Sequence, residues 1–173
     1  MKYGTLFYVL CNGQVLMINK FSKRENDPNS GLYAIPGGKL EYFEKGTNPK
    51  GRLECAVRET FDETGLLPIN LKLRGVILFD NSERIFDDWK NPEGFLVHIF
   101  YSEEYSGKLK EKRDEGIPCW INECDIKGLS KSDGDKKMYE WIKDGRFFVG
   151  VIKHKGKSLD ESGTFVDFFN QID

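Results

Sequence analysis

Two apolar runs, Y-G-T-L-F-Y-V-L and Q-V-L-M-I, flank Asn12-Gly13, the dipeptide that closes tight hairpins, so the first twenty residues predict two antiparallel strands. A polar stretch over 22–31 follows, whose proline, glycine and asparagines sustain neither regular period and predict a loop. A glycine pair, Gly37-Gly38, precedes a second flexible stretch over 44–51. Asn48-Pro49 suits a helix cap and first turn, and Gly65 suits a stop, which predicts a helix over 49–64. Apolar runs at 71–79, 95–101 and 118–121 read as strands, with a loop over 81–94. Residues 133–144 read as a second helix, and the runs 146–154 and 163–169 as a closing hairpin around K-G-K-S. With no internal repeat or linker, this order describes one domain over 1–173: an α/β (α+β) sandwich.

The first helix carries the chemistry. At 100° per residue, Leu53, Ala56, Val57 and Phe61 gather on one side with Thr60 and Thr64, the side expected to face the core. Glu59, Asp62 and Glu63 then share the opposite flank. Three carboxylates in one turn repel one another, and a divalent cation relieves that repulsion. Taken alone they describe the wet face of an amphipathic helix more readily than a metal site.

Composition narrows the chemistry. The formal net charge of −2 gives no global reason to bind a nucleic acid backbone, so an anionic ligand must be held locally. No apolar run approaches the roughly 20 residues of a membrane span, and neither end carries a targeting pattern, so the expected location is the cytoplasm. Cys11, Cys55, Cys119 and Cys124 lack close C-x-x-C spacing and read as free thiols. Two histidines, His98 and His154, both in strand-like runs, are too few for a histidine metal site, which leaves carboxylates as the metal ligands.

The order Gly38, Glu44, Arg58-Glu59, Asp62-Glu63, Gly65-Leu66 resembles the Nudix box: Gly, five residues, Glu, seven residues, Arg-Glu, aliphatic, any, Glu-Glu, any, Gly, aliphatic. Three departures mark this chain. Thirteen residues separate Glu44 from Arg58 where the pattern has seven, Thr60 replaces the aliphatic, and Asp62 replaces a glutamate. The phrases G-L-Y-A-I-P-G-G-K-L-E and D-E-G-I-P-C-W-I further resemble MutT-type nucleoside triphosphate pyrophosphohydrolases.

The resemblance implies a Nudix-type α/β/α sandwich with a mixed central sheet. It also implies Mg²⁺, or Mn²⁺, held by Glu59, Asp62, Glu63, Glu115 and the Gly37 carbonyl, and hydrolysis of a diphosphate bond to release a nucleoside monophosphate and pyrophosphate. Glu59 or Glu115 would take the proton of the attacking water, with Glu63 in the catalytic set and Arg58 and Glu44 supporting loop and helix. Lys20, Gly38, Lys39 and Asp135 are the expected substrate contacts. Relatives that recognise oxidised purines carry an asparagine where this chain has Ala34 and a tryptophan where it has Ser132, so the base stays open. Nucleotide sugars, dinucleoside polyphosphates and RNA 5′ ends are alternative substrates, a non-catalytic nucleotide-binding module is an alternative class, and the assembly is a monomer or a homodimer. An isopentenyl diphosphate isomerase would need histidine ligands and a catalytic cysteine that this sequence does not place.

Overall fold

A computed structural model of the chain describes residues 1–21, 30–41, 50–84, 94–111 and 116–170. Strands β1 (Lys2–Cys11) and β2 (Gln14–Lys20) form the expected hairpin. Its turn residues have φ of +51° at Asn12 and +73° at Gly13, the paired left-handed conformation that a two-residue hairpin requires. Two short strands follow, β3 (Tyr33–Ala34) and β4 (Gly37–Lys39). Helix α1 (Lys50–Thr64) comes next and stops at Gly65, whose φ of +81° suits a residue without Cβ. Glu44, Asn48 and Pro49 lie outside the described residues.

Strands β5 (Leu66–Ile69), β6 (Lys72–Arg84), β7 (Gly94–Ser102), β8 (Glu104–Gly107) and β9 (Gly116–Asn122) precede helix α2 (Asp133–Asp144). Then come β10 (Phe147–Gly156), β11 (Ser158–Leu159) and β12 (Phe165–Phe169). The loop expected at 81–94 is corrected at both ends, because β6 runs on through Asn81–Arg84 against β10 and Gly94 already belongs to β7, while 85–93 lie outside the described residues. K-G-K-S does make a tight turn, into β11. A short 3-10 turn at Glu161–Gly163 then separates β11 from β12, and both pair with β10.

The large sheet runs β11-β10-β6-β7-β1-β2-β3, with β12 also on β10, β4 also on β1 and β9 also on β2. It is mixed: β1 with β7 and β10 with β6 are parallel, and the remaining pairs are antiparallel. Alternate residues of β1 feed two cores. Phe7 and Val9 pack with Ala56 of α1, while Tyr8 packs with Met138, Tyr139, Trp141 and Ile142 of α2. The two helices thus cover opposite faces, the expected α+β sandwich.

One division of the sheet positions the site. β1 pairs with β2 only at Leu10 and Cys11, and its Gly4–Leu6 segment pairs instead with β4. The sheet splits between β2 and β4, which presents Gly37 and Gly38 to α1.

The buried side of α1 differs from the expected one. Cys55, Ala56, Thr60, Glu63 and Thr64 are buried, whereas Leu53 is 38% and Phe61 41% exposed. The helix is rotated by roughly 60° toward its carboxylates, relative to the side that Leu53, Ala56, Val57, Thr60, Phe61 and Thr64 marked together. Small residues win the contact because the helix lies close against sheet backbone. The threonine hydroxyls cost little there, since Thr60 donates to the Ala56 carbonyl at 2.7 Å and Thr64 to the Thr60 carbonyl at 2.6 Å.

Candidate active site

The rotation of α1 separates the three acids. Glu63 is only 7% exposed and its Oε2 accepts the Gly37 amide at 2.8 Å. Glu59 is partly buried and its carboxylate lies over Gly38, where a Cβ would come within 2.2 Å of the Glu59 carboxyl carbon. Asp62, on the far side of the arc, is exposed. The shared flank expected for the three is in fact graded from buried to solvated. Glu115 lies outside the described residues.

The glycine pair is selected by contact rather than by flexibility. Gly37 has φ +154°, and a Cβ there would sit 2.2 Å from the Thr5 carbonyl oxygen and 2.8 Å from Leu6 Cα. Backbone bonds from Phe7 N to Pro36 O (2.8 Å) and from Leu40 N to Tyr3 O (3.0 Å) tie both ends of the segment to β1. The glycines therefore stand in fixed places beneath α1.

Arg58 does more than a surface ion pair. Its guanidinium donates to Glu59 Oε1 at 2.8 Å and to the Lys39 carbonyl at 3.5 Å, and it lies 3.6 Å from Glu41. Cys55 joins the same knot, accepting from Thr5 Oγ1 at 3.3 Å and donating to the Lys39 carbonyl at 3.6 Å. Sequence reasoning missed Cys55, although its position one turn before Arg58 was a usable signal. Lys39 itself is exposed beside the glycines.

A second group of polar residues surrounds the N-terminus of α2. Ser132 caps the helix, its hydroxyl accepting the Asp135 amide at 3.1 Å. Burial pushes the Asp135 carboxyl up, while Ser132, Lys20 at the end of β2, and Lys131 pull it down. Lys20 and Asp135 are thus brought into one electrostatic neighbourhood from opposite ends of the chain. Lys131, 7% exposed, donates to the Leu129 carbonyl at 3.1 Å and to the Ile126 carbonyl. It too was missed, because a lysine in a polar loop reads as solvated. The Ser130 carbonyl accepts from the Tyr33 amide at 2.8 Å and so fixes this loop to β3 beside Ala34.

Among the described residues no group of three or more Asp, Glu, His or Cys converges closely enough to hold a metal ion. Two carboxylates do converge on the glycine pair, and oxygen donors of this kind suit a hard divalent cation. Space at Gly38 that any side chain would fill is taken by one of them. All four cysteines are free thiols, as expected.

The NUDIX domain model matches residues 3–143, and the chain belongs to that family, among hydrolases of phosphorus-containing anhydrides. YvcI, a Nudix hydrolase of Bacillus subtilis (strain 168), is 27% identical over 121 residues, 69% of each chain. An ADP-ribose pyrophosphatase of Methanocaldococcus jannaschii is 34% identical over 93 residues, covering 53% of this chain and 47% of that protein. The mutator MutT protein of Bacillus halodurans shares the fold at a TM-score of 0.76 and 24% identity, over 96% of this chain and 98% of that one. No described helix is long and apolar enough to cross a membrane.

Proposed function

We propose that this chain acts as a single catalytic domain in the cytoplasm, hydrolysing a diphosphate bond in a nucleoside triphosphate or related nucleotide. The products are a nucleoside monophosphate and pyrophosphate. The carrying observation is the closure of α1 on the glycine pair, with Glu63 bonded to the Gly37 amide and Glu59 over Gly38.

Glu59 and Glu63 would hold Mg²⁺, with Mn²⁺ as a substitute, joined by Asp62 from the solvent side, by Glu115, and by the Gly37 carbonyl. The bound ion would supply charge neutralisation for a polyanionic substrate and lower the pKa of a bound water. The chain's own residues supply the rest. The Gly37 amide orients the Glu63 carboxylate, Arg58 orients Glu59, and Lys39 and Lys20 offer ammonium groups to the phosphates. Glu59 or Glu115 accepts the proton of the attacking water. Asp135, with its carboxyl pushed up by burial, offers a polar contact to the nucleoside.

A second reading, hydrolysis of ADP-ribose, has the Methanocaldococcus jannaschii relative in its favour, along with the shared fold of the Shewanella oneidensis NrtR NUDIX domain complexed with ADP ribose. The test is turnover of a panel with Mg²⁺, products resolved by ion exchange. The panel comprises nucleoside triphosphates, oxidised ones, ADP-ribose, diphosphate sugars, dinucleoside polyphosphates and 5′-triphosphate RNA. One substrate is expected to give a nucleoside monophosphate. Glu59→Gln is expected to lower kcat by about 10²- to 10⁴-fold, and chelation to abolish turnover with the far-ultraviolet circular dichroism unchanged. Wild-type chain that turns over nothing with either ion would leave a nucleotide-binding module instead.

A further inference from the structure

Helix α1 reaches the sheet beneath the glycine pair through one thiol. Cys55 lies one turn before Glu59 on the same side of the helix and is fully buried. Its Sγ accepts from the Thr5 hydroxyl of β1 at 3.3 Å and donates to the Lys39 carbonyl of β4 at 3.6 Å. Thr5 in turn pairs in register with Gly38, the glycine beneath the Glu59 carboxylate. Arg58 closes the ring. One of its guanidinium nitrogens donates to Cys55 Sγ at 3.7 Å and to the same Lys39 carbonyl at 3.5 Å, while another donates to Glu59 Oε1 at 2.8 Å. A single sulfur thus touches β1, β4 and the arginine that holds Glu59.

We infer that Cys55 and Thr5 are positioning residues for Glu59, acting through Arg58. This rests on the part of the proposed function that makes Glu59 a ligand of the divalent ion. A small residue filling the gap between helix and sheet would explain the size of the side chain but not its bonds, since alanine would fill the gap as well. The bonds have a direction. Arg58 stands between two carboxylates, Glu59 at 2.8 Å and Glu41 at 3.6 Å. With one nitrogen anchored on the sulfur and the Lys39 carbonyl, the planar fork aims its other nitrogen at Glu59. Without the sulfur, the partly exposed guanidinium is released toward Glu41 and solvent, and Glu59 loses the partner that holds it over Gly38.

A thiol suits this place because it both donates and accepts. The buried Thr5 hydroxyl calls for an acceptor, and Sγ supplies one while passing its own hydrogen to β4. Hydrogen bonds to sulfur are weak, so these contribute little to the stability of the whole chain. Their consequence lies in where they put Arg58. A carboxylate that ligates a metal ion works only in a narrow range of positions, and the groups that orient it govern both metal affinity and turnover. Cys55 and Thr5 touch neither substrate nor metal in this arrangement, and their effect reaches the site only through the guanidinium.

The experiment is a double-mutant cycle on the full chain: Cys55→Ala, Thr5→Val and the two together. It is read by Mn²⁺ affinity from water-proton relaxation without nucleotide, and by turnover of the substrate that the panel identifies. Each single variant is expected to bind Mn²⁺ about 10-fold more weakly and to lose about 10-fold in kcat, with KM within about twofold and melting temperature within about 3 °C of wild type. The double variant is expected to lose about 10-fold again rather than about 100-fold, because both substitutions break one linkage. Cys55→Ser, which keeps a donor and an acceptor, is expected to recover kcat to within about threefold of wild type. Thr5→Val carries the test if Cys55→Ala fails to fold. Unchanged Mn²⁺ affinity in the single variants, losses that multiply in the double variant, or equal losses in Cys55→Ser and Cys55→Ala would each overturn the proposal and leave the hydrolase reading intact. Wild-type chain that shows the expected Mn²⁺ pattern across the variants but turns over nothing overturns the hydrolase reading and upholds the positioning, and wild-type chain that binds no Mn²⁺ overturns both.

Discussion

Adjacent glycines do different work in this site. At Gly37 an added Cβ meets backbone, the Thr5 carbonyl oxygen at 2.2 Å, in a chain conformation with φ +154°. Neither can yield, so Gly37→Ala is expected to cost at least about 3 kcal/mol and to lower the melting temperature by about 6–12 °C. At Gly38 the added Cβ meets the Glu59 carboxylate, the end of a side chain that can swing away. Gly38→Ala is therefore expected to keep a melting temperature within about 2 °C of wild type, yet lose about 10²-fold in kcat, because the carboxylate leaves its working position. Thermal melts beside turnover separate the two, and equal effects at both positions would refute the distinction.

Helix α1 shows how an element can present an unexpected side. Periodicity counted Leu53 and Phe61 as core because they are its largest apolar residues, but the sheet beneath takes up Cys55, Ala56, Thr60 and Thr64 together with the hydrogen-bonded Glu63. Phe61 instead lies under the Lys110 ammonium, 4.6 Å from the ring centroid. Phe61→Gln is accordingly expected to cost under about 1 kcal/mol, whereas Ala56→Leu, at a fully buried position, is expected to cost about 1–3 kcal/mol or more by overpacking. Urea unfolding of both variants checks the order, and a larger loss for Phe61→Gln would restore the side that periodicity marked. Helix α2 conforms to its pattern because Met138, Tyr139, Trp141 and Ile142 meet side chains rather than backbone. The strands missed by periodicity, β3, β4, β5, β8 and β11, are two to four residues long, too short for alternation to register.

Across the whole molecule, stability depends on pH through a half-buried and a buried histidine on the central strands. His98 on β7 and His154 on β10 are both held below the usual histidine value of 6.5, first by burial and then by Arg52 and Arg84 respectively. A depressed histidine favours the folded state above the unfolded value. That contribution is lost as pH falls from about 6.5 through the folded value, because only the unfolded chain takes up the proton. Melting temperature is thus expected to fall between about pH 7 and pH 5, and a His98→Gln, His154→Gln double variant to flatten that slope. An equally steep decline in the double variant would assign the effect to other groups.

Local chemistry was legible in the sequence wherever it was carried by neighbours along the chain. The Asn12-Gly13 turn, the Gly65 stop, α2, the long strands and the order of glycines, arginine and acids all follow from contacts a few residues apart. What only the tertiary structure decided is where those residues point. The branching of β1 between β2 and β4 brings the glycine pair under α1, turns Glu63 inward and leaves Asp62 outside, and the curl of the sheet unites Lys20 with Asp135. The physical reason is that burial and register are set by partners distant in sequence, and a helix tells which residues share a side but not which side the sheet will take.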